Sequence, residues 1–128
     1  MRVLNIHGVN DVRLDPTEAP TAGQSDVIVQ VKACGVCGSD LSYIKIGGIH
    51  RKPGGVTPIG HEAAGEIIKV GAAVKDAYVG QRVVINPMNT PSYIGSGGPE
   101  GAFTEELLVR DARHEGPPGC VPGDPRVS

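Results

Sequence analysis

Tryptophan is absent from this 128-residue chain, and its aromatic side chains are limited to Tyr43, Tyr78, Tyr93 and Phe103. A core so poor in rings must be filled by Val, Ile, Leu and Ala, which favours strands over a large helical bundle. Long helices are excluded by punctuation, because Gly (19) and Pro (11) interrupt the chain too often. No basic run occurs, the formal charge is −2 and both signs are interspersed, so nucleic acid is not an expected partner. Nothing approaches the roughly 18 consecutive apolar residues of a membrane span, so no membrane partner is expected. Asn5, His7, Asp11 and Arg13 break up the N-terminus, which therefore lacks the apolar core of a signal peptide. Three cysteines are an odd count and a poor disulfide framework, which points to a reducing, cytoplasmic setting. The length suffices for one domain burying roughly two-thirds of its unfolded surface.

Against these absences stands a clear period-2 pattern. Val27, Val29, Val31 and Ala33 alternate with Ile28, Gln30 and Lys32, as in a half-buried strand. Short strand-like segments recur at Arg2–Ile6, Val12–Leu14, Gly65–Val70 and Arg82–Ile85, while Ala102–Val109 reads either as a strand or as one amphipathic helical turn. Asp15-Pro16, Gly47-Gly48, Gly54-Gly55, Gly71 and Gly80 supply the turns between them. Many short strands at this spacing predict a small barrel or sandwich. Asp40–Ile46 is the best candidate for a short helix, with Ser39 as its cap. The stretch His114–Ser128, HEGPPGCVPGDPRVS, holds four Pro and three Gly. It is expected to form no regular structure, which sets the folded domain at residues 1–113 and leaves 114–128 as a disordered tail.

Two clusters carry chemistry: Gly35-Val36-Cys37-Gly38-Ser39-Asp40 and Gly60-His61-Glu62-Ala63-Ala64-Gly65. A catalytic zinc takes three protein ligands and keeps one position open for water or substrate. A thiolate and an imidazole from separate loops suit such a site, and the adjacent carboxylates Asp40 and Glu62 suit ligand orientation.

Other patterns resolve into plainer roles. Cys34-x2-Cys37 has redox spacing, but no βαβ pattern surrounds it, and Cys34 reads as a small core residue at a strand end. Cys34, Cys37 and His50 have finger-like spacing, yet His61 lies too far beyond His50, which reads as an exposed loop residue. His61-Glu62 lacks the second His of a metalloprotease motif, since position 65 is Gly. His7 and His114 have no sequence partners and read as structural or surface groups. The run Gly95-Ser96-Gly97-Gly98-Pro99-Glu100-Gly101 misses the dinucleotide fingerprint and reads as a flexible loop, so no cofactor-binding residue is assigned. Cys120 is a stand-in third zinc ligand only if something positions its tail.

Four segments together, DVIVQVKACGVCGSDL, PIGHEAAGEIIKVG, VGQRVVINP and GAFTEELLV, resemble the N-terminal, GroES-like domain of the zinc-dependent medium-chain alcohol and polyol dehydrogenases, in that family's order. The resemblance runs from about Met1 to Arg113. It implies a mostly β fold, a partly open antiparallel β-barrel with one or two short helices. It also implies Cys37 and His61 as zinc ligands and Glu62 as an alternate ligand or a group beside the metal. Ser39 would hold the substrate hydroxyl and start its proton relay, and Asp40 would fix the His61 ring. Zinc would lower the pKa of the bound alcohol, whose alkoxide would release hydride to NAD or NADP.

Three departures qualify this. Many relatives have a histidine where Ser42 stands, as a proton acceptor. Many carry four cysteines for a structural zinc, whereas Asn86–Gly101 has none, so no structural zinc is expected. The family's third zinc ligand and its dinucleotide-binding domain should follow beyond Ser128. The expectation is therefore a catalytic-domain fragment of a dehydrogenase acting on a small alcohol or polyol, inactive alone and compatible with a homo-oligomer. The competing expectation is a GroES-like binding or assembly module without hydride chemistry.

Overall fold

The computed structural model describes residues 1–48, 55–75, 77–87 and 94–110, together with the backbone of 120–122. His50 and His114 therefore lie outside the described residues. Among these residues eight strands and one helix follow in order: β1 (Arg2–Gly8), β2 (Asp11–Pro16), β3 (Val27–Gly35), α1 (Gly38–Ile46), β4 (Thr57–Pro58), β5 (Glu62–Val70), β6 (Arg82–Ile85), β7 (Glu106–Val109) and β8 (Cys120–Pro122). They form a three-stranded sheet, β2-β1-β4, and a five-stranded sheet, β7-β3-β5-β6-β8. Every pairing is antiparallel.

Among the described residues the sheets are not closed into a barrel. They are joined where Leu4 donates its N–H to the Phe103 carbonyl and Val31 donates to that of Glu105. This is the mostly β, GroES-like, partly open architecture expected from the sequence. The ambiguous 102–109 segment resolves as a strand over its last four residues.

The core follows the alternation. Val27 and Val29 of β3, Ala63 and Ile67 of β5, Val83 and Ile85 of β6, and Leu107 and Val109 of β7 pack into one cluster with Ile94 and Ala102. Val84, between two buried neighbours, is exposed, as a period-2 strand requires. Ile28, assigned by alternation to the outer face, is buried as well.

One expectation needs correction. The helix is capped at Cys37, not Ser39. Cys37 has extended backbone angles (φ −101°, ψ 155°), and Ser39 lies inside the first turn. Asp40, three residues on, accepts the Cys37 N–H at 2.9 Å, the reaching-back half of a capping box. Of the segment 114–128 only the backbone of 120–122 is described, so the expected tail lies largely outside the described residues. Residues 120–122 pair with β6, matching Cys120 to Ile85 and Pro122 to Val83. An otherwise open strand edge offers backbone partners even to a Pro-rich segment, and an edge position is where Pro is tolerated.

Candidate metal centre

The ladder between β3 and β5 builds the site. Its register pairs Gly35 with Glu62 and Cys34 with Ala63. The end of β3 therefore lies beside the start of β5. Cys37, two residues beyond β3, comes next to His61, one residue before β5. Ligand atoms of Cys37, His61 and Glu62 all lie within 4.8 Å of one another. Tetrahedral zinc with bonds of about 2.0–2.3 Å needs ligand atoms roughly 3.5 Å apart, so a small contraction would bring this triad to bonding geometry. Cys37 and His61 are half-buried and Glu62 is exposed, which leaves one side open.

Asp40 sits beneath the triad, 1% exposed. One carboxylate oxygen is held by the Cys37 N–H. The other faces His61 Nδ1 at 3.4 Å, and neither of these two buried atoms makes a hydrogen bond among the described residues. Distance and alignment stop short of a true bond, but the pairing directs Nδ1 inward and leaves Nε2 for a ligand. Thiolate, imidazole and carboxylate together are a zinc-type donor set. The orphaned Asp40–His61 contact is the arrangement that a metal-bound imidazole uses to fix its ring, so the residues present fit a zinc ion.

Cys34 is separate from the triad. It packs against the core cluster, and burial, then the negative charges of Asp40 and Glu62, push its thiol up to about 11. A thiol so weakly acidic is a poor nucleophile and ligand at neutral pH, in keeping with its reading as a core residue. Ser39 is half-buried on the first turn of α1, and the exposed Ser42 donates its hydroxyl to the Gly38 carbonyl at 3.3 Å. His7, without a partner in the sequence pattern, has one in space: its Nε2 lies 2.6 Å from Asp15 Oδ2.

Beside His61 and Glu62 lies a hollow of about 380 Å³ lined by Ala33, Ala63, Ala64, Val84, Ile85 and Pro87. A larger hollow of about 770 Å³, between the N-terminus and the 97–101 loop, contains none of the triad, whereas the smaller one is lined by two of its members, His61 and Glu62. Sequence reasoning missed how the loop through Gly95 and Gly101 supports the site. Ala102 donates its N–H to the Gly60 carbonyl at 2.9 Å, and Phe103 donates to that of Ile59 at 3.2 Å. The signal was a glycine run bounded by the core residues Ile94 and Ala102.

A partly open β fold with a Cys-His-Glu cluster that could hold a metal at a strand end describes a GroES-like domain with a candidate metal centre. Residues 23–116 match the alcohol dehydrogenase GroES-like domain family. The chain belongs to that family, within the zinc-dependent medium-chain dehydrogenases. It is similar to sorbitol dehydrogenase of Rattus norvegicus, 41% identical over 66% of this chain and 24% of the relative. It is also similar to (R,R)-butanediol dehydrogenase of Bacillus subtilis, 30% identical over 85% of this chain and 38% of the relative. The crystal structure of 2R,3R-butanediol dehydrogenase from Bacillus subtilis superposes with a TM-score of 0.81 at 26% identity, covering 99% of this chain and 41% of that one. Galactitol-1-phosphate dehydrogenase from Escherichia coli gives 0.78 at 26% identity, covering 98% and 38%. The chain thus spans about a quarter to two-fifths of the length of these relatives. No helix among the described residues is long and apolar enough to cross a membrane.

Proposed function

We propose that these residues form the catalytic domain of a zinc- and NAD(P)-dependent dehydrogenase acting on a small alcohol or polyol. The observation that carries this is the convergence of Cys37, His61 and Glu62 within 4.8 Å above the buried Asp40. Zinc, when bound, supplies Lewis acidity toward a substrate hydroxyl. Cys37 and His61 hold the ion, and Glu62 completes three protein donors from within this chain. Asp40 holds the Cys37 backbone and faces the His61 ring at 3.4 Å, placed to accept its Nδ1–H once the ring is drawn to the ion. Ser39, on the first turn of α1, would hold the substrate hydroxyl and start its proton relay, taking that proton as it hands its own hydroxyl proton on to solvent. The apolar hollow beside His61 offers Ala33, Ala64, Val84 and Pro87 as contacts for the carbon skeleton of the substrate.

Polyols are favoured by the GSDLSY segment and by Asn86–Gly101 lacking cysteines for a second zinc. The compartment in this reading is the cytoplasm, and neither nucleic acid nor a membrane is a partner. No strand followed by a G-x-G-x-x-G run occurs in these 128 residues. In this reading they bind no NAD(H) at micromolar concentration and oxidise no alcohol by themselves. The test is a chimera in which residues 1–110 replace the matching segment of the Bacillus subtilis butanediol dehydrogenase. Diol oxidation that is lost on Cys37→Ser supports the proposal. A folded chimera loaded with zinc but without activity would sink it.

A further inference from the structure

Among the described residues the ring of His61 makes no hydrogen bond at Nδ1 and only faces the Asp40 carboxylate at 3.4 Å, so the backbone must share in fixing its position. The preceding peptide is unusually confined. Gly60 has φ +102°, and a Cβ there would lie 2.6 Å from the Phe103 nitrogen and 2.8 Å from its ring. Its carbonyl oxygen accepts the Ala102 N–H at 2.9 Å. On another side stands Gly95, φ +72°, whose Cβ, if it had one, would lie 2.0 Å from that same oxygen and 2.5 Å from the Gly60 carbonyl carbon. Gly95 is itself held, donating its N–H to the Glu100 carbonyl at 2.8 Å. The turn it begins is flanked by Ile94 and Ala102, 1% and 0% exposed. Because a peptide unit is planar, fixing the Gly60 oxygen fixes the nitrogen and Cα of His61 in the same plane.

We propose that the 94–103 segment is a clamp on the zinc ligand His61, with Gly95 as its positioning residue. The inference rests on the metal reading above. Only a residue without Cβ can close this contact, and a left-handed φ makes glycine doubly suited. The clamp and the metal are coupled: a loop that holds His61 in place for zinc must itself be held by zinc, to the same factor.

The experiment is residue-resolved hydrogen exchange on the full 128-residue chain, with and without zinc chloride. The Gly95 and Ala102 amides are expected to slow severalfold more on zinc addition than that of Ala73, which is bonded to Gln24 in a turn that shares no residue with the site. In Cys37→Ser the zinc-dependent slowing disappears. A second arm compares zinc affinity in Gly95→Ala and Gly80→Ala. Gly80 also has a positive φ, but a Cβ there would meet only the Glu66 carboxylate, at 4.0 Å. We expect a loss of tenfold or more for Gly95→Ala and less than twofold for Gly80→Ala. Should Gly95→Ala not fold, the exchange on the unaltered chain decides alone. Zinc bound at one per chain with unchanged Gly95 and Ala102 exchange overturns the clamp and leaves the metal site standing. Absence of zinc binding overturns both.

Discussion

Asp40 Oδ1 faces His61 Nδ1 at 3.4 Å while the other oxygen of the same carboxylate accepts the N–H of Cys37 at 2.9 Å. One buried side chain thereby connects the backbone of one proposed zinc ligand to the ring of another. The helix cap and the candidate metal site share a residue, since the side chain that closes the first turn of α1 also faces the imidazole.

Two substitutions separate these duties. Asp40→Asn keeps the shape and should weaken zinc binding about 10- to 100-fold, as loss of an outer partner of a ligating histidine does. Asp40→Ala also leaves the part-buried Cys37 N–H without its acceptor and should cost about 1 kcal/mol of stability. Competition with a chromophoric chelator reads the first and urea unfolding the second. Equal zinc affinity in Asp40→Asn and the unaltered chain would remove Asp40 from the site.

The glycine facing Glu62 gives a finer probe. A Cβ at Gly35 would meet the Glu62 Oε2 at 3.1 Å, whereas one at Gly38 meets nothing within 4 Å. Gly35→Ala should push the carboxylate aside by a few tenths of an ångström and lower zinc affinity, with the fold intact by circular dichroism. Gly38→Ala should leave affinity unchanged. Identical affinities would show that Glu62 is not a ligand.

Much of this was legible beforehand. Strand β6 falls on the predicted Arg82–Ile85, because alternation of Val83 and Ile85 with exposed neighbours is a local signal. The Cys37 cap was not legible, since Cys is not among the usual capping residues and the signal lay in Asp40 three positions on. Nor was the contact of Gly95 with Gly60, which depends on the fold returning the chain across 35 positions. The register that brings Cys37 to His61 was equally hidden, because β3 and β5 shift pairing between Ile28 and Val29 and again between Val31 and Ala33.

Reactivity should distinguish the two described cysteines. With its thiol pushed up to about 11, Cys34 carries on the order of 0.1% thiolate at about pH 8. Its alkylation should accelerate about tenfold per pH unit toward 11, and zinc should protect Cys37 but not Cys34. Mass spectrometry of iodoacetamide adducts checks this. Rapid, zinc-sensitive labelling of Cys34 would place it in the site.

Acid should act through the β1–β2 hairpin. The carboxyl of Asp15 is held below 3.8, first by the Asn5 amide and then by the His7 ring. A depressed carboxyl contributes stability above its unfolded value and loses it as pH falls through the folded one. Stability should therefore decline as pH drops below about 3.8, and Asp15→Asn should flatten that decline. Urea midpoints between pH 2.5 and 5 give the comparison, and parallel curves would refute the coupling.

The metal assignment itself is tested most directly by zinc content, measured by elemental analysis after equilibration with a slight excess of zinc, for the unaltered chain, Cys37→Ser and Cys34→Ser. The assignment predicts one zinc per chain in the unaltered protein and in Cys34→Ser, and none in Cys37→Ser. Equal loss in both variants would point to a Cys34–Cys37 site, and full retention in Cys37→Ser would contradict zinc binding at this centre altogether.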